Sequence, residues 1–179
     1  MMTMGFRIGR YTGRLLVAIG CLAMLSACGY RFAGGGRLPD NVSRVCINIF
    51  ENRTSETGIE HMFANYLIDE FKRRNIVVTS DSEAADASLS GVIRALTVEN
   101  ISHMDQYASL ERRVTVTVDV KFIAASGNVL NDFKGLKESE TFDVAQGQKF
   151  TTEANQRNAI MTLAQRFSET VYKMISDDF

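Results

Sequence analysis

The sequence predicts an α+β domain, a two-layer sandwich in which two helices pack on one face of a mixed, mostly antiparallel sheet of about four to five strands. Two segments carry apolar residues at helical spacing with polar residues on the other side, as helices that cover a sheet do. A third segment alternates valine with polar residues, the pattern of a strand with one buried and one solvated face. Such one-faced elements bury their apolar sides most economically in two layers.

The predicted helices run from about Thr57 to Asn75 and from about Thr152 to Ile175. Thr57 and Glu60 have the spacing of a capping box, in which a threonine and a glutamate satisfy the first free backbone N–H groups of a helix. Apolar residues recur every three or four positions in both helices, at Ile59, Phe63, Leu67, Phe71, Ile160, Leu163, Phe167, Val171 and Ile175.

Strand-like segments lie at residues 45–50, 76–79, 87–101, 114–122 and 129–144. The first is a continuous apolar run, which predicts a strand covered on both faces, and residues 51–54 after it predict a polar loop. Gly91 lies inside the third segment and indicates either a bulge or the close approach of another group.

The N-terminus has the pattern of a targeting segment. Its basic residues precede the apolar run 15–25, which is shorter than the roughly 20 residues that a membrane-spanning helix needs. Ser26 and Ala27 then lead directly to Cys28, and this arrangement resembles the lipobox of bacterial lipoproteins. On that resemblance residues 1–27 are a cleaved signal peptide, and Cys28 carries a diacylglyceryl thioether and an acylated amine. An ordinary secretory signal with a chance cysteine is the alternative.

A lipidated Cys28 would anchor the domain permanently, because several acyl chains together hold a protein on a membrane. Residues 28–43 then form a short tether. Gly29 follows the cysteine where inner-membrane lipoproteins carry aspartate, so the resemblance implies the inner leaflet of the outer membrane, with the domain facing the periplasm. Tyr30 and Phe32 lie beside the lipid, where aromatic rings favour the headgroup level or a partner surface.

Charge and cysteine content exclude several classes of protein. The net charge is −1, and loss of the signal peptide with its three arginines makes it more negative, so we expect no nucleic-acid partner. Cys21 leaves with the signal and Cys28 takes the lipid, which leaves Cys46 as a buried core residue without a disulfide partner.

Catalytic and metal-binding patterns are absent from the sequence. His61 and His103 are the two histidines, and neither has a second ligand at the spacing that a zinc site requires. No nucleophile, base and orienting group converge in the pattern, so we expect no enzyme, no metal and no cofactor apart from the lipid on Cys28.

The order of these parts resembles the LptE family of lipopolysaccharide-assembly lipoproteins. The resemblance rests on the run Cys28-Gly29-Tyr30-Arg31-Phe32, the meander strand Arg113-Val114-Thr115-Val116-Thr117-Val118 and the closing helix. It makes residues 44–179 an LptE-like α/β domain. It also implies an outer-membrane lipoprotein that plugs and supports the β-barrel LptD and assists lipopolysaccharide assembly.

Candidate contact residues follow from the predicted meander. The loops at 102–112 and 144–150 should leave the sheet at the same end, because successive strands run in opposite directions. Arg112, Arg113 and Lys149 would then suit the phosphates of lipopolysaccharide, or would remain solvated rim charges or contacts to the barrel wall. We expect Thr115 and Thr117, like Tyr30 and Phe32, to face the partner.

A second interpretation is an outer-membrane lipoprotein adaptor that regulates a cell-wall synthase or a secretion pore. An adaptor that crosses the periplasm needs a long linker, because a flexible chain spans only about 5 to 6 Å times the square root of its length. The segment from Gly29 to Val42 is short, which favours a partner in the membrane itself.

Overall fold

The computed structural model describes residues 38–101 and 110–177. The helices are α1 (Ile59–Arg73) and α2 (Lys149–Asp177). The strands are β1 (Arg44–Ile47), β2 (Glu51–Asn52), β3 (Val77–Thr79), β4 (Ala87–Ile101), β5 (Glu111–Ala124) and β6 (Val129–Asp143). In these two described ranges, neither helix combines the length and the apolar character needed to cross a bilayer.

All six strands form one mixed sheet in the order β3-β1-β4-β5-β6, with β2 beside β4. β1 is parallel to β3 and β4, whereas β4, β5 and β6 form an antiparallel meander. α1 lies on the connection from β2 to β3, as expected where parallel strands need a crossover. The predicted α+β fold is therefore confirmed, with the sheet open rather than closed.

The hydrophobic core lies between the sheet and the two helices. Every second residue of β5 faces it, and these five are at most 1% exposed: Val114, Val116, Val118, Val120 and Phe122. The apolar faces of α1 and α2 pack against these residues. The ring centroids of Phe63 in α1 and Phe167 in α2 are 5.3 Å apart. We call the sheet face opposite the helices the open face. Cys46 is buried, as predicted.

The predicted capping role of Thr57 is wrong, because the residue before α1 is Gly58. Gly58 has a φ of +87°, and no side chain caps the helix at this residue. The glutamate half of the predicted box is present, since the Glu60 carboxylate accepts the Gly58 N–H at 3.0 Å and the Asn52 amide at 2.9 Å. At the other end, Asn75 follows the helix with a φ of +64°, which confirms the predicted stop.

The first strand is shorter than predicted, because β1 ends at Ile47 and Ile49 is 60% exposed. Phe50 turns inward instead and covers Gly91 of β4, where a Cβ atom would overlap its ring. Gly91 is thus the close approach that the sequence indicated. The predicted loop at 51–54 is wrong for its first two residues, since Glu51 pairs with Val92 in the sheet.

Candidate functional site

Three strand ends meet at one end of the meander, which we call the distal end. Ile101 of β4 is paired with Glu111 of β5, and Glu111 is paired with Asp143 of β6. The prediction that the segments after β4 and β6 leave at the same end is therefore confirmed. Residues 102–109, with His103, lie outside the described residues.

A surface cleft of about 520 Å³ lies at the distal end, on the helix side of the sheet. Arg112 of β5 lines it together with the turn 144–148 and the first residues of α2, including Lys149. A second hollow of about 460 Å³ adjoins it, because Glu153 and Gln156 line both. The structure therefore brings Arg112 and Lys149, from distant parts of the sequence, to one cleft.

The turn that shapes this cleft is tied to α2. The Ala145 N–H donates to the Thr152 hydroxyl oxygen at 3.1 Å, and the Asn155 amide donates to the Asp143 carbonyl at 2.9 Å. Gly147 supplies the positive φ of +73° that the turn requires. These bonds fix the start of α2, and with it Lys149, relative to the end of β6.

Both cations in the cleft have polar neighbours. The Arg112 Nε donates to the Asn100 Oδ1 at 3.0 Å, which holds the guanidinium along the strand. Lys149 pairs with Glu153 at 3.6 Å on the exposed surface of α2, an ion pair that solvent screens. The side chain of Phe150 is 86% exposed beside Lys149. The cleft thus holds two cations, and the exposed ring of Phe150 follows Lys149 in the chain without lining the cleft.

Arg113 is not part of the cleft. Successive side chains of a strand point to opposite faces, so Arg113 lies on the open face, across from Glu99 and Thr141. Two of the three residues predicted to contact lipopolysaccharide therefore share a cleft, and the third lies on the other side of the sheet.

Hydroxyl groups dominate the distal half of the open face. Thr115 has Thr97 and Ser139 as its cross-strand neighbours, while Thr117 stands between Ala95 and Lys137. Thr115 and Thr117, two of the four residues predicted to face a partner, therefore lie on one surface that the helices do not cover. This surface offers hydrogen-bond donors and acceptors rather than an apolar patch.

Asp119 organises the open face, and the sequence pattern gave no signal for this role beyond an acidic residue in an alternating strand. The pairing of β4 with β5 shifts between Ile93 and Ala95, and Arg94, the extra residue, forms an ion pair with Asp119. The pairing of β5 with β6 shifts beside Asp119, whose carboxylate accepts the Gly135 N–H at 2.8 Å. One carboxylate therefore joins two bulges.

The environment of Asp119 favours its charged form. Burial raises the pKa of the Asp119 carboxyl, but the Gly135 N–H and the Arg94 guanidinium outweigh this effect and hold the pKa below its ordinary value. The carboxylate is thus ionised wherever the open face meets a neutral solution.

A second carboxylate, Asp86, fixes the point where the chain enters the sheet. It accepts the Arg44 N–H at 2.8 Å, the Ser43 N–H at 3.1 Å and the Ser43 hydroxyl at 2.9 Å. The backbone and side-chain bonds from Ser43, with those from Arg44, lower the pKa of Asp86 to about 2. The local sequence shows only that Asp86 closes a stretch with two other acidic residues, Asp81 and Glu83.

The predicted N-terminal site residues, Cys28, Tyr30 and Phe32, lie outside the described residues. His61 is exposed on α1. Within residues 38–101 and 110–177, no three histidine, cysteine, aspartate or glutamate side chains are arranged to hold a metal ion.

A family model described as lipopolysaccharide-assembly LptE matches residues 42–175. The chain belongs to the LptE family. The match covers both helices almost entirely and every strand of the sheet. LptE proteins are non-enzymatic lipoproteins of lipopolysaccharide assembly and are associated with the outer membrane. A sequence search of curated proteins found no match.

Two solved structures of bacterial lipoproteins are similar to this chain in fold. Lipoprotein B from Nitrosomonas europaea has a TM-score of 0.54 and 14% sequence identity, over 83% of this chain and 90% of that chain. A minor lipoprotein from Acinetobacter baumannii has a TM-score of 0.51 and 10% identity, over 76% of this chain and 92% of that chain.

Proposed function

We propose that this LptE family chain is an outer-membrane lipoprotein that plugs and supports the LptD barrel and assists the assembly of lipopolysaccharide. One observation carries the proposal: the open face is a broad polar surface that neither helix covers, in a chain of this family. The lumen of an outer-membrane barrel is polar as well. A plug whose surface carries hydroxyl and paired charged groups suits such a wall.

The side chains of the open face support an interface of this kind. Thr115 and Thr117 present hydroxyl groups on the central strand of the meander, and Arg113 and Glu99 add charges at its distal end. Protein interfaces typically carry about ten direct hydrogen bonds as well as apolar contacts. In our proposal these residues meet the barrel wall, with Arg113 as a wall contact rather than a lipid contact.

Lipidation of Cys28 would hold the domain at the membrane in this proposal. Leu38 is ten positions after Cys28, and ten steps of a fully extended chain reach at most about 35 Å. Asp86 then clamps the chain at Ser43 and Arg44. The domain would therefore stay close to the inner leaflet, with Tyr30 and Phe32 at the headgroups or against the barrel.

The cleft at the distal end is our candidate contact for lipopolysaccharide. Arg112 offers a planar guanidinium and Lys149 a mobile ammonium, and both suit phosphate groups. The exposed ring of Phe150 could meet sugars or acyl chains beside them. The proposal includes no catalytic step and no cofactor other than the lipid.

The experiment that tests the plug is a double substitution on the open face, Thr115→Arg with Thr117→Arg, in the lipidated protein. The bulky cations should reduce recovery of LptD with the tagged protein by about tenfold or more while the melting temperature stays within a few degrees. Thr162→Arg, on the exposed side of α2, is the matched control and should change neither quantity. Full recovery of LptD with the double variant would overturn the assignment of this face.

A further inference from the structure

Among the described residues, the second half of β4 has a neighbouring strand on one side alone. β1 pairs with β4 only as far as Leu89, and β2 pairs with it only at Val92 and Ile93. From Ala95 to Ile101, β4 therefore has β5 on one side and, among the described residues, no strand on the other. We call residues 95–101 the β4 edge.

The hydrogen-bond pattern shows which groups point outward. The Val144 N–H donates to the Leu110 carbonyl at 2.8 Å, so even-numbered residues of β5 bond toward β6 and odd-numbered ones toward β4. Thr97 and Glu99, which pair with odd-numbered residues, consequently bond toward β5. The backbone N–H and C=O groups of Val98 and Asn100 must then point to the side of β4 opposite β5, within the plane of the sheet.

The other long edge, along β6, is covered by α2. The Arg166 guanidinium donates to the Ser139 carbonyl at 2.7 Å and pairs with Glu140 at 2.6 Å. The Asn155 side-chain amide donates a hydrogen bond to the Asp143 carbonyl at 2.9 Å. These side chains occupy backbone carbonyls that another strand would need for pairing. The bulge farther along β6 also discourages such pairing.

The β4 edge lacks such protection within the described part of the chain. No described backbone or side-chain group bonds to the main chain of Val98 or Asn100. Its sequence, Ala95-Leu96-Thr97-Val98-Glu99-Asn100-Ile101, holds one charged residue and no proline. Valine, isoleucine and threonine favour extended structure. The edge is therefore competent to accept a further strand.

We propose that the β4 edge pairs with an extended segment of the barrel partner, which adds a strand to this sheet. The inference rests on the proposed function and names the contact more closely. Main-chain bonds to Val98 and Asn100 supply affinity in this mode of recognition, and alternate side chains supply specificity.

The chemistry of the partner segment follows from the two faces of the edge. Val98 is 38% exposed and lies on the helix side, so apolar side chains of the segment pack beside it. Thr97 and Glu99 lie on the open face, where hydroxyl or basic side chains complement them. The added strand continues the same polar surface that carries Thr115. The occupant is therefore a segment of about five residues that alternates apolar with hydroxyl or basic residues.

The first experiment blocks the β4 edge in the lipidated full chain. Val98→Pro removes an outward N–H from this edge, and proline is tolerated at such positions. Thr162→Arg, on the exposed side of α2, is the control because it lies away from both the edge and the open face. We expect recovery of LptD to fall at least about fivefold for Val98→Pro and to stay unchanged for Thr162→Arg. Equal recovery of LptD by the wild type and Val98→Pro overturns the edge proposal and leaves the plug intact, whereas failure of the wild type to recover LptD overturns both.

A second experiment does not depend on the folding of a proline variant. A photo-crosslinking amino acid at position 97 or 99 should map to one segment of LptD, at sites two residues apart, because both positions lie on the same face of a paired strand. Crosslinks scattered over unrelated segments overturn the proposal. So does a concentration-dependent homodimer crosslinked at these positions, since the edge would then pair with a second copy.

Discussion

The carboxylate of Asp119 accepts the backbone N–H of Gly135 at 2.8 Å, across two strands whose pairing shifts at this point. The same carboxylate is paired with Arg94, the extra residue in the bulge of β4. Bulges increase the local twist of a sheet. Asp119 therefore sets the shape of the open face by holding two bulges in register with one another.

Loss of the Asp119 carboxylate should destabilise the domain. We expect Asp119→Ala to lower the free energy of unfolding by about 1 to 3 kcal/mol, because it leaves a backbone donor and an arginine without their acceptor. Asp119→Asn retains an oxygen for Gly135 and should cost less. Denaturant unfolding measures both. Asp132→Asn, which breaks only the surface pair with Lys134 at 3.4 Å, is the control and should change stability little.

Stability should fall in acid because of Asp86. Its pKa is lowered from 3.8 to about 2 in the folded chain, so its contribution is complete above the unfolded pKa and is lost as the pH falls through about 2. Thermal melts between about pH 5 and pH 2 should therefore show a declining melting temperature. Asp86→Asn should be less stable at neutral pH and should show a shallower decline. An identical decline in the wild type and this variant would assign the acid sensitivity to other carboxyl groups.

A side chain at position 91 should disturb the contact with Phe50. The Cβ of Gly91→Ala would overlap the phenyl ring, and the ring packs edge-on against Phe167 with centroids 6.3 Å apart. We expect a loss of about 1 to 3 kcal/mol, typical of overpacking. Phe50→Leu should be less damaging in the Gly91→Ala background than in the wild type, and a double-mutant cycle measures this coupling. Additive effects would mean that the ring moves aside freely.

The two cations of the cleft should act together on lipopolysaccharide. Arg112→Glu and Lys149→Glu should each weaken its binding to the purified protein by about tenfold, since charge-assisted bonds to phosphate are strong. Arg113 is adjacent to Arg112 in the chain but lies on the open face. The control substitution Arg113→Glu should therefore leave the affinity for lipopolysaccharide unchanged. Binding titrations at low and high salt provide the comparison. Equal effects of all three substitutions would indicate general charge rather than the cleft.

The layers of this fold could be predicted from the sequence because they rest on local periodicity. The alternation from Val114 to Phe122 repeats every two residues, and the stripe from Ile160 to Ile175 follows the helical repeat. Both patterns state which side is buried without reference to any distant residue. The core of the structure follows them closely.

Features that depend on contacts between distant residues could not be predicted. The bond from Gly135 to Asp119 joins residues whose pairing depends on a register shift. The N-cap of α1 is Gly58 rather than the predicted Thr57, because the turn before the helix requires a positive φ. The capping-box pattern of the sequence does not indicate that turn.

The candidate lipopolysaccharide site could be predicted only in part, because sequence patterns do not state which distant side chains share a face. Arg112 and Lys149 line one cleft because the start of β5 and the end of β6 lie at the same end of the sheet, which follows from meander topology. Arg113 lies apart from them because a strand sends adjacent side chains to opposite faces, and grouping by sequence proximity overlooked this.

The most direct test of the central claim is a quantitative pull-down of the tagged, lipidated protein from outer membranes in mild detergent. The account predicts that LptD is recovered in near-equal amount, and that this recovery requires Cys28. Recovery of a cell-wall synthase or a secretion pore without LptD would contradict the account and favour an adaptor.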